Sequence, residues 1–349
     1  MTNRFACLVS GMLVLFLGAC SQEQDPVYHD QFFAFGTLVD ITLYDVEPQL
    51  AITLSEALEQ RFNELHSHWH AWQPGALTSL NEQLARRQTA IVDPSLLPVL
   101  KEANRLSQQS SGLFNPVIGK LVTLWGFHDN ALPIGTLPDK DAIDALLRQA
   151  PSVSDLTQQD AQLSTRNPAV QYDLGGFAKG LAIDYAIEQL KAAGVKNAII
   201  NAGGDLRAIG QHGDRPWRIG IRNPREPGIL ASIEITGDSS VFTSGDYERF
   251  FEVDGQRYHH IIDPRTGYPA TGAISVTVIH DNAATADAAA TAIFVAGTEG
   301  WIETARNMGI KYVMLIDSNE NIHINPAMQS RLQFESNVDA RIITGPSLL

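Results

Sequence analysis

From Val153 onward the chain alternates short β-branched runs with turn residues, at intervals too tight for crossover helices. The runs are Val153–Leu156, Ala161–Ser164, Ala169–Leu174, Ala198–Asn201, Leu206–Gly210, Trp217–Arg222, Ile229–Ile235, Ser240–Thr243, Phe250–Val253 and Arg257–Ile262. Parallel neighbours need a connection of about a dozen residues, usually helical, whereas antiparallel neighbours need only a hairpin. These runs therefore predict hairpins and meanders in a largely antiparallel sheet. One helical stretch interrupts them, Gly176–Ala193, stopped by Gly194. A strand over Ile274–His280 follows, then a helix of small residues over Thr285–Ala296, a helix over Trp301–Met308 and a last strand over Lys311–Asp317. From Gln333 no period is visible.

The first half is richer in helix. Gln31–Tyr44 is apolar and β-branched, and reads as one strand. After Pro48, the residues Leu50, Leu54, Leu58, Phe62 and Leu65 recur at helical spacing. Leu77–Ala85 predicts a short helix. Asp93-Pro94 opens another, running to Ser110 and stopped by Gly112. Gly112–Phe127 reads as an irregular core-lining segment, and Asp139–Ala150 as a helix. The whole predicts an α+β fold: helices flank the sheet, and functional loops gather between two lobes. No internal repeat is visible, and Pro133–Pro138 is the best candidate hinge.

The N-terminus points outside the cytoplasm. Arg4 precedes an apolar run, Ala6–Leu17, too short to span a bilayer. It ends in Leu17-Gly18-Ala19-Cys20, which resembles the bacterial lipobox. Residues 1–19 then form a lipoprotein signal peptide and Cys20 carries the lipid; the alternative is an ordinary secretory signal with a chance cysteine. Residues 20–30 form the tether and 31–349 the fold. The expected product is a membrane-anchored lipoprotein facing the periplasm. The two cysteines are Cys7 and Cys20, so the mature chain has no disulfide. A net charge of −14 argues against nucleic acid as partner, because no basic excess meets the phosphates.

Several stretches have the composition of sites. Gln171–Asp184 (QYDLGGFAKGLAID) places two glycines and a helix start between Asp173 and Lys179. It is compatible with a phosphate cradle or with a plain strand-to-helix turn, and matches neither the P-loop nor the dinucleotide fingerprint. Asn201–Asp205 (NAGGD) is a ligand-approaching turn or a tight hairpin. Thr243–Arg249 (TSGDYER) and His260–Gly267 (HIIDPRTG) concentrate polar groups in loops. His260 is an acid/base candidate, since an imidazole titrates near neutrality; Asp263 and Arg265 also fit a simple Asp-Pro turn with an ion pair. Asp287 and Thr291, four apart on a helix, share a face and offer two oxygens to a hard cation such as Mg²⁺, or Asp287 complements the helix dipole. His66, His68 and His70 would share one side of an extended segment, as a transition-metal site or as a solvated face. Trp72 is an aromatic plate for the core or for a planar ligand.

In order, DLGGFAKG (173–180), NAGGD (201–205), the TSGDYERF segment, HIIDPRTGYP (260–269) and DAAATA (287–292) resemble the bacterial FAD:protein FMN transferases, once described as thiamine-biosynthesis lipoproteins. The lipobox, FGT (35–37), WQPGALTSLN (72–81) and GLFNPVIGKLVTLWGF (112–127) fit the same family. The resemblance implies a T-fold-like α+β architecture with FAD between the lobes. It implies Mg²⁺-dependent cleavage of the FAD pyrophosphate, transfer of FMN as a phosphoester to a Thr or Ser hydroxyl of a target protein, and release of AMP. Metal ligands map onto the Asp287 and Thr291 side chains and the Gly176 carbonyl. Flavin contacts map onto Phe35, Trp72, Leu113, Phe114, Asn115, Asp173, Lys179 and Ile261, and the essential histidine onto His260. The acceptors implied are subunits of membrane electron-transport complexes of the sodium-pumping quinone reductase type. Two positions depart from the family: Trp72 stands where Tyr is common, and Asn115 where Asp is common. Two alternatives stay open, a Mg²⁺-dependent FAD pyrophosphatase giving FMN and AMP, and a flavin-binding lipoprotein without turnover.

Overall fold

A nine-stranded sheet runs through the protein in the order Val27–Ala34, Thr37–Tyr44, Asn197–Ala202, Asp205–Ile209, Ser239–Gly245, Ala273–His280, Tyr312–Asp317, Ile322–Ile324 and Ile342–Thr344. Every pair is antiparallel except the last, Ile322–Ile324 with Ile342–Thr344. The computed structural model describes residues 26–128, 136–336 and 340–349. The expected signal peptide 1–19, the lipidated Cys20, the tether up to residue 25 and the first half of the Pro133–Pro138 hinge lie outside the described residues. Among the described residues no helix is long and apolar enough to cross a membrane.

Both faces of the sheet are covered, and the strand sequences show it. Phe242, Val276, Val278, Val313 and Leu315 pack into the core shared with the helices. Val241, Ile279, Met314 and Ile316 belong to a second core on the opposite face. Side chains alternate across a strand, so two apolar faces read as a nearly unbroken apolar run. The first core is closed by the helices Pro48–Trp69, Ala178–Ala192 and Ala283–Asn307. The second is closed by a three-stranded sheet of Trp217–Arg222, Ile229–Ile235 and Leu332–Phe334. A third apolar cluster, holding Leu121, Trp125, Phe127, Ile143, Phe251 and Ile262, makes a smaller lobe. It joins the helices Gly119–Leu124 and Lys140–Gln149 to the hairpin Phe250–Val253/Gln256–His259.

The α+β class and the antiparallel sheet agree with the sequence reading. Several elements differ, each for a local reason. Gln31–Tyr44 is a hairpin, because Phe35 and Gly36 both take left-handed φ (50° and 74°) and reverse the chain within two residues. Its first strand starts at Val27, inside the segment expected to be tether. Ala169–Leu174 makes one isolated bridge, Gln171 with Ile118, in place of a strand. The Asp93 side chain accepts the Ser95 N–H at 2.8 Å and closes a turn, and the helix begins at Leu97. Gly112–Phe127 contains a one-and-a-half-turn helix, Gly119–Leu124. The Thr285–Ala296 and Trp301–Met308 helices form one element kinked at Gly297 (φ 63°). Short strands follow Asp317, including one in the aperiodic tail.

Candidate active site

The hairpin tip, the Gly112 turn, the Gly175–Gly176 turn, the Ser244–Arg249 strand end and the His260 loop converge on one cavity of about 510 Å³. It opens between the sheet-and-helix body and the smaller lobe, whose Ile118, Val122, Phe127 and Ile262 form part of its lining. All twelve residues singled out above for flavin, metal or proton transfer line this cavity.

One wall is apolar. Phe35 sits at the hairpin tip in a left-handed conformation costly for a bulky residue, with its ring against His66 and Phe62. Trp72 is half-buried, its indole N–H donating to Thr123 Oγ1 at 3.0 Å. His70 Nδ1 accepts the backbone N–H groups of Trp72 and Gln73 and so fixes the loop behind that ring. Leu113 and Phe114 follow a turn with left-handed Ser111 and Gly112, and Phe114 packs edge-on against Phe177. Asn115 lies on the lining, but its amide is committed to the loop: Nδ2 donates to the Pro151 carbonyl and Oδ1 accepts the Val117 N–H.

The facing wall is charged. Lys179 lies in the first turn of the Ala178–Ala192 helix and pairs with Asp205, whose other oxygen accepts the Thr243 N–H at 2.9 Å. Burial disfavours the Lys179 ammonium, but Asp205, Glu248 and Asp287 more than offset this and hold its pKa above the ordinary range. Asp287 is buried, and its Oδ2 accepts the Gly180 N–H at 3.0 Å. Burial pushes its pKa up to about 7, against the opposing pull of Lys179. Thr291 Oγ1 lies 3.4 Å from Ser244 Oγ. A Cβ on Gly176 would sit 3.2 Å from the Phe114 ring and 3.6 Å from Thr291 Oγ1. Gly176 is thus a glycine of close approach, which brings its backbone against the Asp287–Thr291 face. One carboxylate, one hydroxyl and an adjacent backbone suit a hard, oxygen-seeking cation of the Mg²⁺ kind and not a thiolate- or imidazole-seeking metal. Asp173 accepts the Gly175 N–H at 2.9 Å, and burial raises its pKa.

His260 stands where the lobes meet. Its backbone N–H and its Nδ1 both face the Arg249 carbonyl, at 3.0 and 3.2 Å. A carbonyl only accepts, so Nδ1 carries the proton and Nε2 is the basic nitrogen. Burial, helped by His259 and Arg249, pushes its pKa down to about 3, so the imidazole is neutral at pH 7.

Residues 35–314 match the profile of the ApbE family. The chain belongs to the ApbE family. It is 42% identical over 308 residues to the FAD:protein FMN transferase of Rhodobacter capsulatus, covering 88% of this chain and 59% of that protein. It is 32% identical to the FAD:protein FMN transferase of Vibrio cholerae, covering 90% of this chain and 94% of that protein. The crystal structure of the ApbE protein of Thermotoga maritima superposes with a TM-score of 0.79 at 33% identity, over 87% of this chain and 99% of that one. The flavin transferase ApbE of Vibrio cholerae superposes at 0.76 and 28% identity, with the same coverage.

Within this ApbE-family fold the candidate motifs divide. In HIIDPRTG, His260, Ile261 and Ile262 line the cavity, whereas Arg265 grips Asp263 and the Val295 carbonyl as a structural turn. In TSGDYER, Asp246 is tied to Arg225 and Arg257, while Tyr247, Glu248 and Arg249 face the cavity. Asp205, Glu248 and Arg249 lie inside NAGGD and TSGDYER, where the sequence carries no signal that sets them apart from their neighbours. Arg222 had no local signal, since it ends an ordinary strand. NAGGD is both of its alternatives, a two-glycine hairpin and part of the cavity rim. The three histidines do not alternate on an extended segment, because the helix continues through Trp69. His66 and His70 meet ring to ring at 5.3 Å, and His68 is exposed away from them. Among the described residues no group of three or more His, Cys, Asp or Glu is arranged to hold a metal.

Proposed function

We propose that this chain transfers the FMN moiety of FAD to a Thr or Ser hydroxyl of a target protein, releasing AMP. The reading rests on one observation: a single cavity joins an aromatic wall to a carboxylate–hydroxyl donor pair and an imidazole. Phe35, Trp72, Leu113 and Phe114 form a surface on which an isoalloxazine stacks. The Asp287 carboxylate, the Thr291 hydroxyl and the Gly176 carbonyl would hold Mg²⁺, which supplies charge neutralisation at the pyrophosphate. Lys179 exchanges part of its pairing with Asp205 for a phosphate oxygen. His260 Nε2 takes the proton of the acceptor hydroxyl; the oxygen bonds to the FMN phosphorus as the P–O bond to AMP breaks, and AMP leaves with the electron pair. A neutral His260 is available as a base, and the negative charge of the incoming substrate raises its low pKa toward a useful value.

On this reading residues 1–19 are a signal peptide, Cys20 bears the lipid, and the protein works on the periplasmic side of a membrane. The acceptors are subunits of membrane electron-transport complexes of the sodium-pumping quinone reductase type. The test is to incubate the mature protein with FAD, Mg²⁺ and such a subunit and to run a denaturing gel. A fluorescent acceptor band supports transfer. Free FMN without a band makes the protein a pyrophosphatase, and unchanged FAD removes both enzymatic readings.

A further inference from the structure

The helix of the DLGGFAKG motif runs past Lys179 and Gly180 to Asp184, a buried carboxylate outside the cavity lining. We propose that Asp184 is the positioning residue that fixes the distance between the Gly176 backbone and the Asp287–Thr291 face, and thereby the affinity of the site for a divalent cation. This rests on the cation reading above.

Four contacts converge on Asp184. Oδ1 accepts the Ala283 N–H at 2.9 Å, and Oδ2 accepts the Ala284 N–H at 2.9 Å and the Asn282 Nδ2–H at 2.7 Å. The buried Arg207 donates to Oδ1 at 2.6 Å and is itself braced by Asp238 at 2.8 Å through two nitrogens. Asp184 therefore grips the first turn of the helix that carries Asp287 and Thr291. Capping alone does not require it, because Asn282 already caps that helix through the Thr285 N–H at 2.8 Å.

One turn earlier, Gly180 completes the clamp. Its N–H holds Asp287 Oδ2 at 3.0 Å, and a Cβ there would meet the Ala283 carbonyl at 2.3 Å. Residues four apart share a helix face, so Gly180 and Asp184 lock the same partner at two heights. The sheet holds the opposite side. Asp205 and Arg207, two apart on one strand and so on one face, take Lys179 and Asp184 respectively. The Gly176 turn and the Asp287 helix come from distant parts of the chain, and Asp184 is where strand and both helices are pinned together.

The test measures Mn²⁺ binding by electron paramagnetic resonance, which needs no turnover. Asp184→Asn keeps the shape but removes the charge and replaces one of the two acceptor oxygens with a donor NH2 group. It is expected to weaken Mn²⁺ binding roughly 10–100-fold while riboflavin binding without metal stays within about threefold. Asp184→Glu, charged but longer, serves if the first variant does not fold, and is expected to weaken Mn²⁺ binding in the same direction. Asn325→Ala removes a buried amide that bonds Val313 and Lys311 away from the cavity, and controls for general destabilisation. Parent-like Mn²⁺ affinity in the folded Asp184 variants, or an equal loss in Asn325→Ala, overturns the proposal. A parent protein that binds no Mn²⁺ overturns the cation reading itself, and this inference with it.

Discussion

The two walls of the cavity are built in opposite ways. Phe35, Trp72, Leu113 and Phe114 sit on turns, two of them shaped by left-handed residues at Phe35–Gly36 and Ser111–Gly112. Lys179, Asp287 and Thr291 sit on long helices and Asp205 on a central strand, tied to one another by ion pairs and backbone hydrogen bonds. The turn-borne wall presents ring surface, whose contacts are apolar and undemanding in direction. The helix-borne wall presents single oxygens and one ammonium, whose value depends on tenths of an ångström. A rigid scaffold for charge and an adaptable one for stacking is a sound division, since electrostatic preorganisation demands more exact placement than apolar contact.

If the charged wall carries the chemistry, substitutions there abolish turnover, whereas those on the apolar wall change affinity. The largest effect is expected from Asp287→Ala: transfer at ordinary Mg²⁺ falls roughly 1,000-fold or more. Unchanged activity would show that the cation is held elsewhere. His260→Ala is expected to lower transfer about 100–10,000-fold with FAD binding, followed by flavin fluorescence, unchanged. Full transfer would remove His260 from the reaction. Trp72→Ala tests the other wall. The Kd for FAD rises about 5–10-fold with a smaller change in kcat, and a loss confined to kcat would contradict the division of labour.

Smaller effects sharpen the same contrast. Gly203 (φ 68°) would push a Cβ to 2.4 Å from Thr37 Oγ1, whereas Gly204 (φ 105°) faces open space. Gly203→Ala is expected to cost about 2–3 kcal/mol in denaturant unfolding and Gly204→Ala about 1 kcal/mol. Equal costs would mean that close approach at the rim is unimportant. The last test concerns pH without metal. Asp287 has a folded pKa raised to about 7 from 3.8. Its favourable contribution is complete below pH 4 and is lost as pH rises through 7, because the folded state then holds an ionised, desolvated carboxylate. With chelator at pH 8, Asp287→Asn is therefore expected to melt roughly 2–4 °C above the parent, and at pH 4 to melt with it. A parent-like Tm at pH 8 would show that burial does not strain this carboxylate.

The amino-acid sequence by itself determined the class of fold and marked most of the stretches that line the cavity. Closely spaced strands leave only antiparallel pairing, and nearly unbroken apolar runs such as Ile274–Ile279 go with cover on both faces of the sheet. The candidacies of Asp287, Thr291 and His260 were legible because their chemistry is local to the side chain, whereas Gly176 entered only through the family resemblance. The hairpin at Phe35–Gly36 was not legible, since its turn lacks the Asn-Gly or Asp-Gly signal and puts a phenylalanine in a conformation that propensity disfavours. The histidine spacing misled for a related reason: packing of Leu65 and Trp69 in the core carries the helix through His66 and His68.

Only the tertiary structure decided how the motifs divide. Asp263 and Arg265 satisfy each other, whereas His260, three residues before Asp263, faces the cavity with a neutral ring. Asn115 spends its amide on Pro151 and Val117. Asp184 reads in sequence as one more polar residue on a helix, yet it meets Ala283 and Ala284 about a hundred residues away. Pairings of that kind depend on which buried polar group finds which partner once the helices dock on the sheet. Desolvation makes such choices strict, and a linear pattern does not contain them.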